Sequence, residues 1–221
     1  MSRSPNAVAL DLARRADLSR GTALRGATAG WPALDGALPG GLPRGRVTEW
    51  AGPRSAGKTA ALRWLVGSVR SAGAGAAYVD ATGTLAPVPW VPESEGRPPF
   101  WVVRPPEAGG VLAAAEELLW SAVFGLVVAE GGDWSRSPVI RLQRLAREAG
   151  AALIAVVDRP GRVPLAGLRV RFSPDVESRT CRVEIPGRGL TREVAYVHDL
   201  PYRLPEDSGL PDRRPSARSA R

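Results

Sequence analysis

"GPRSAGKT", residues 52–59, contains the only lysine of the chain: of 30 basic residues, every one except Lys58 is arginine. Gly52, Gly57, Lys58 and Thr59 satisfy the pattern G-x-x-x-x-G-K-[ST], in which glycine lets the backbone curl tightly enough to aim successive N–H groups at a phosphate. A lysine ammonium meets the β and γ phosphates as a compact point charge, which a planar guanidinium does not do in the same space. That is a chemical reason for one lysine in an arginine-rich chain. The candidate nucleotide contacts are Gly52, Pro53, Arg54, Ser55, Ala56, Gly57, Lys58, Thr59 and Ala60. Thr59 offers its hydroxyl to Mg²⁺, so ATP with Mg²⁺ is the cofactor the motif implies.

The flanks supply the context that this motif needs. Before it, "RVTEWAG" alternates as a strand, with Val47 and Glu49 opposite Thr48 and Trp50. After it, "AALRWLVGSVRSAG" places Leu62, Leu65, Val66 and Val69 on one helical face. Farther along, "AAYVD" (76–80), "FWVVRP" (100–105), "VFGLVVAE" (123–130) and "ALIAVVD" (152–158) read as buried strands. Between them the spacing predicts helices over 106–121 and 141–150, the second stopped by Gly150. Alternating strands and helices imply an α/β fold, a mostly parallel sheet with helices on both faces. "LRVRFSP", "CRVEIPG" and "REVAYV" alternate strictly, with Leu168, Val170 and Phe172 opposite Arg169 and Arg171, and are expected to extend the sheet as C-terminal antiparallel strands.

The chain divides into three regions: an N-terminal helical arm and linker (1–27), a core with its antiparallel extension (28–202), and a disordered basic tail (203–221). "AVALDLARRA" (7–16) is the amphipathic part of the arm. A net charge of +8 makes polyanions natural partners. No stretch approaches the roughly 18 to 20 apolar residues of a bilayer span, and a secretory signal layout is missing, so a cytoplasmic location is expected, with nucleoid association left open. Cys181 falls in an alternating apolar run, where a buried thiol is expected, and His198 has no evident catalytic partner.

Hydrolysis needs a carboxylate at the end of a neighbouring strand to hold the metal's water shell. In "GLVVAE" the expected position is Ala129; Glu130 comes one place late and by strand alternation should face away, unless a slip or bulge intervenes.

"LDGALPGGLPRGRVTEWAGPRSAGKT", together with "YVDATGTLAP" and the Pro-Pro-Glu beyond it, resembles the core of the RecA recombinases over roughly residues 28–160. The short basic chain, with "RLQRLAREAGAALIAVVDRP" before alternating strands, is similar to the ImuA family, RecA-like proteins of the bacterial damage-inducible mutagenesis cassette. The resemblance implies a RecA-like P-loop core. It also implies partners: RecA, the polymerase-like protein ImuB and an error-prone DNA polymerase. Departures accompany it. Thr82 stands where the recombinases carry a water-activating glutamate, Ala86 replaces an adenine-contacting aspartate, and the base-stacking tyrosine falls near Pro89, beside Trp90. Asp158 replaces the glutamine that senses the γ-phosphate. The segments matching the DNA-gripping loops are short, "GGDWSRS" and "RPGRVPLAG"; their candidates for weak nucleic-acid contact are Trp134, Arg136, Arg159 and Arg162, joined by Arg213, Arg214, Arg218 and Arg221 in the tail.

Three functions stay open. In the leading one the chain is an ATPase-deficient accessory protein of SOS-induced translesion synthesis that binds RecA, ImuB or both. The others are an active RecA-family ATPase, drawing on Glu130 or a partner's carboxylate, and a module that binds single-stranded DNA electrostatically.

Overall fold

The computed structural model describes residues 35, 41–85, 90, 98–175, 180–186 and 190–195. The amphipathic stretch at 7–16, the tail and His198 lie outside them. Among the described residues no helix is long and apolar enough to cross a membrane.

Eight strands form one sheet in the order β3-β2-β4-β5-β1-β6-β7-β8. They are β1 (Val47–Ala51), β2 (Gly75–Asp80), β3 (Phe100–Val103), β4 (Phe124–Glu130), β5 (Ala152–Val157), β6 (Leu168–Asp175), β7 (Thr180–Ile185) and β8 (Leu190–Ala195). Strands β2, β4 and β5 are largely apolar runs of the sequence, and they and β1, which carries the buried Thr48 and Glu49, are buried on both faces as a parallel sheet requires, while β3 at the edge is half-buried. Helix α1 (Lys58–Ser71) covers one face, and α2 (Val111–Trp120) and α3 (Arg136–Glu148) cover the other. Under α1 lie Trp50, Tyr78, Val128, Ile154 and Phe172; under α2 and α3 lie Val47, Val79, Val127, Ala129 and Leu153. Leu62 and Leu65 of α1 are fully buried, each contributing about 1.5–3 kcal/mol by leaving water.

Three boundaries differ from expectation. β6 pairs parallel with β1, and the antiparallel pairings are β6 with β7 and β7 with β8, so six strands are joined in parallel before the antiparallel C-terminal extension begins. The alternation of β6 has the polarity expected: Leu168, Val170 and Phe172 are buried, while Arg171 is exposed. Helix α2 begins at Val111, after a short 3-10 turn at Ala108–Gly110, where Gly110 packs closely on Pro105. Helix α3 begins at Arg136; Pro138 sits in its first turn, where a missing N–H breaks no intrahelical bond.

One irregularity sets which face the end of β4 presents. In the β2–β4 ladder Gly75 faces Phe124 but Ala76 faces Leu126, so Gly125 is an extra residue in β4. Its bulge inverts the alternation: Phe124 packs under α2 and α3, Leu126 under α1.

Candidate nucleotide site

The parallel register brings the carboxyl ends of β1, β5, β4 and β2 level, with Ala51 beside Val157, Val156 beside Glu130, and Glu130 beside Asp80. In open α/β sheets this end of the strands is where ligands bind. A cavity of about 780 Å³ lies there, lined by residues 52–60, Thr82, Thr84, residues 130–134, residues 156–158, Gly161 and Arg162.

The phosphate loop forms its floor. Ser55 (φ 61°) and Gly57 (φ 89°) both adopt the left-handed conformation, and the strain at Ser55 is of the kind that persists where the surroundings enforce it. Gly52 is irreplaceable for a different reason: a Cβ there would sit 2.3 Å from the backbone oxygen of Phe172 on β6. Gly57 precedes α1 without a side-chain cap, so the first amides of the helix, at Lys58, Thr59 and Ala60, are open to an anion. The Lys58 ammonium donates to the carbonyls of Gly52 and of Pro53, the latter at 2.9 Å. Burial lowers its pKa, and the charges of Glu130 and Asp158 act against that shift. These uncapped amides, the lysine and the tight glycine form a donor set that fits a polyphosphate, and the exposed Thr59 hydroxyl and Glu130 suit a hydrated Mg²⁺.

Glu130 corrects the sequence expectation. Ala129 is fully buried against α2 and α3, while Glu130 lines the cavity on the α1 side, because the Gly125 bulge has shifted the parity. Its Oε2 accepts a hydrogen bond of 2.7 Å from the hydroxyl of Tyr78, a residue that is 1% exposed. Burial, then the Glu130 charge, raises the Tyr78 pKa, so the phenol remains a proton donor.

Asp80, also at this end of the sheet, is committed elsewhere, whereas Asp133 and Asp158 line the cavity. Asp80 accepts from the Thr82 hydroxyl (2.9 Å), the Leu85 amide (3.1 Å) and Arg104 Nε (3.2 Å). Burial opposes its ionisation, but these bonds outweigh that and hold its carboxyl below the usual range. Thr82 lines the cavity with its hydroxyl bound to Asp80. Asp158 lines the cavity beside Arg159, at 3.9 Å.

Among the nucleic-acid candidates, Arg136, Arg159 and Arg162 are exposed, and Arg162 reaches the cavity wall. Trp134 is 5% exposed and donates from Nε1 to the Gly131 carbonyl at 2.7 Å, so its ring is core and not a platform for a base. Trp90 is likewise buried, stacked on Phe100 with centroids 5.4 Å apart. Ala86 and Pro89 lie outside the described residues.

Two supports had no motif to announce them. Glu49, its side chain fully buried, accepts the amides of Gly161 and Val163, both at 2.8 Å, and lies 3.6 Å from Arg169 Nε; it pins the segment that carries Arg162. Cys181 on β7 donates its thiol to the carbonyl of Ala56 at 2.8 Å, so the C-terminal strands prop the phosphate loop from beneath. The buried thiol of Cys181 was legible from alternation, but its partner 125 residues away was not.

Residues 16–128, just over half of the chain, match the family model of the RecA N-terminal domain. The chain is 36% identical over 95 residues to Protein RecA of Picosynechococcus sp., covering 43% of this chain and 27% of that protein. With Protein RecA of Borreliella afzelii it shares 33% over 111 residues, 50% of this chain and 30% of that one. The chain thus spans under a third of the length of these curated relatives. In fold it is similar to the crystal structure of the RadB recombinase, with a TM-score of 0.61 and 20% identity over 76% of this chain and 94% of that one.

Proposed function

The chain belongs to the RecA N-terminal domain family, and from that premise we propose that it is a nucleotide-binding accessory protein of damage-induced translesion DNA synthesis. In this reading it acts by contact with RecA, with the polymerase-like protein ImuB, or with both, within the error-prone polymerase machinery, and not by turnover of ATP. One observation supports it: the phosphate loop presents uncapped helix amides and Lys58, whereas Thr82, at the place where the resemblance puts a water-activating acid, has its hydroxyl tied to an Asp80 that is engaged by Leu85 and Arg104 as well.

The amides of Lys58 to Ala60 and the Lys58 ammonium bind and orient the polyphosphate. Thr59 and Glu130 would hold a Mg²⁺ with its water shell, and the ion would supply charge neutralisation to the phosphates. Thr82 has no basic oxygen to take a proton from an attacking water, Asp80 behind it is spent on three donors, and Asp158 adds repulsion toward phosphate. Occupancy would then fix the loops at this edge and present them to a partner.

The placement of Glu130 favours one second reading, a working ATPase completed by a partner's acid. Purified full-length protein with Mg²⁺ and ATP separates the two. Nucleotide binding that is lost in Lys58→Ala, with no turnover above that variant's background, is the expected result. Turnover that disappears in Lys58→Ala would sink the binding-only reading. Capture of RecA or ImuB from DNA-damaged cells, compared with protein lacking residues 1–20, tests the partners.

A further inference from the structure

We propose that Tyr78 is a positioning residue that locks Glu130 into the orientation a hydrated divalent cation requires; this rests on the nucleotide-binding reading above. The reason lies in side-chain length. Glutamate has one more rotatable methylene than aspartate, so a glutamate at the end of β4 has freedom that must be removed before its carboxylate can hold a metal's water in place. Tyr78 removes it. The two strands are neighbours in the sheet, with Tyr78 facing Val128 and Asp80 facing Glu130, so the long phenol reaches one step along the ladder to the carboxylate. Its hydroxyl takes Oε2 at 2.7 Å, and Glu130 lines the cavity.

The donor is itself immobile. Tyr78 is 1% exposed and its ring meets Trp90 edge-on, with centroids 5.6 Å apart, while Trp90 stacks on Phe100 of β3. A hydroxyl fixed this way acts as a stop for the carboxylate. Phenylalanine at this position would keep the ring packing and lose only the stop. Among the described residues no second side chain donates to Glu130 in its place.

The test uses full-length protein and a fluorescent ATP analogue, titrated once with Mg²⁺ and once with EDTA, on wild type, Tyr78→Phe, Glu130→Gln and the double variant. Expected is a loss of about three- to tenfold in affinity for Tyr78→Phe with Mg²⁺, unchanged affinity with EDTA, and a double variant no weaker than Glu130→Gln alone. An unaltered Tyr78→Phe in Mg²⁺ overturns the proposal, and so does an equal loss in EDTA, which would make Tyr78 merely structural. A further loss in the double variant overturns it too. Should wild type bind no nucleotide in either condition, the underlying reading falls, and the positioning role with it.

Discussion

Glu49 shows how much a single buried carboxylate controls near the site. Two backbone amides and Arg169 converge on it, and its side chain is shut off from solvent. Glu49→Gln would turn an NH₂ toward one of the amides, leaving a buried donor facing a donor, at a cost of about 1–3 kcal/mol. We expect the melting temperature to fall by roughly 2–4 °C per kcal/mol, read by calorimetry, together with faster proteolysis in the segment 158–166; an unchanged melting curve would refute the clamp. Cys181 makes a prediction about pH. Burial pushes its thiol up to about 11, against a small opposite effect from a hydrogen bond at Ser173. A raised pKa means that the native state holds the proton longer than the unfolded chain. Stability from the buried thiol is therefore complete below the unfolded value near 9 and is lost as pH climbs through the folded value, by about 1.4 kcal/mol per unit. Wild type should lose thermal stability between these pH values more steeply than Cys181→Val; parallel profiles for the two would refute this.

At the scale of elements, the bulge in β4 is the decisive feature. It is a glycine because Gly125 packs against Ala74: a Cβ there would lie 2.8 Å from the Cβ of Ala74. Gly125→Ala must push the β2 and β4 ends apart or undo the bulge. We expect a destabilisation of about 1–3 kcal/mol in denaturant melts, with weaker Mg²⁺-dependent nucleotide binding as Glu130 leaves its register. Full stability and full binding in that variant would show that the bulge is incidental. The sequence contained a hint, since an isolated glycine inside a strand pattern marks a bulge. It could not say on which side of Gly125 the parity changes. The same limit explains β6: alternation shows one polar and one apolar face, but the direction of a strand depends on the partner it finds, here the parallel β1.

For the whole molecule, charge is the property that acts at a distance. A net charge of +8, with Arg136, Arg159 and Arg162 exposed, predicts binding to single-stranded DNA that weakens steeply with salt. Removing residues 204–221, with Arg213, Arg214, Arg218 and Arg221, should flatten the slope of log affinity against log salt by about 0.7 for each phosphate that is no longer neutralised; identical slopes would show that the tail takes no part. With Trp134 in the core, such binding lacks one stacking platform and leans on electrostatics. What the sequence determined alone is what short-range physics settles: the phosphate loop with its lone lysine and the buried runs of the parallel strands. These depend on residues a few places apart, and local geometry suffices. Only the tertiary structure decided that Glu130 faces the cavity, that Tyr78 holds it, that Cys181 props Ala56 and that Glu49 pins the far loop. Each of those contacts joins segments distant in the chain, and which side chains meet across a sheet depends on register, which no single strand contains.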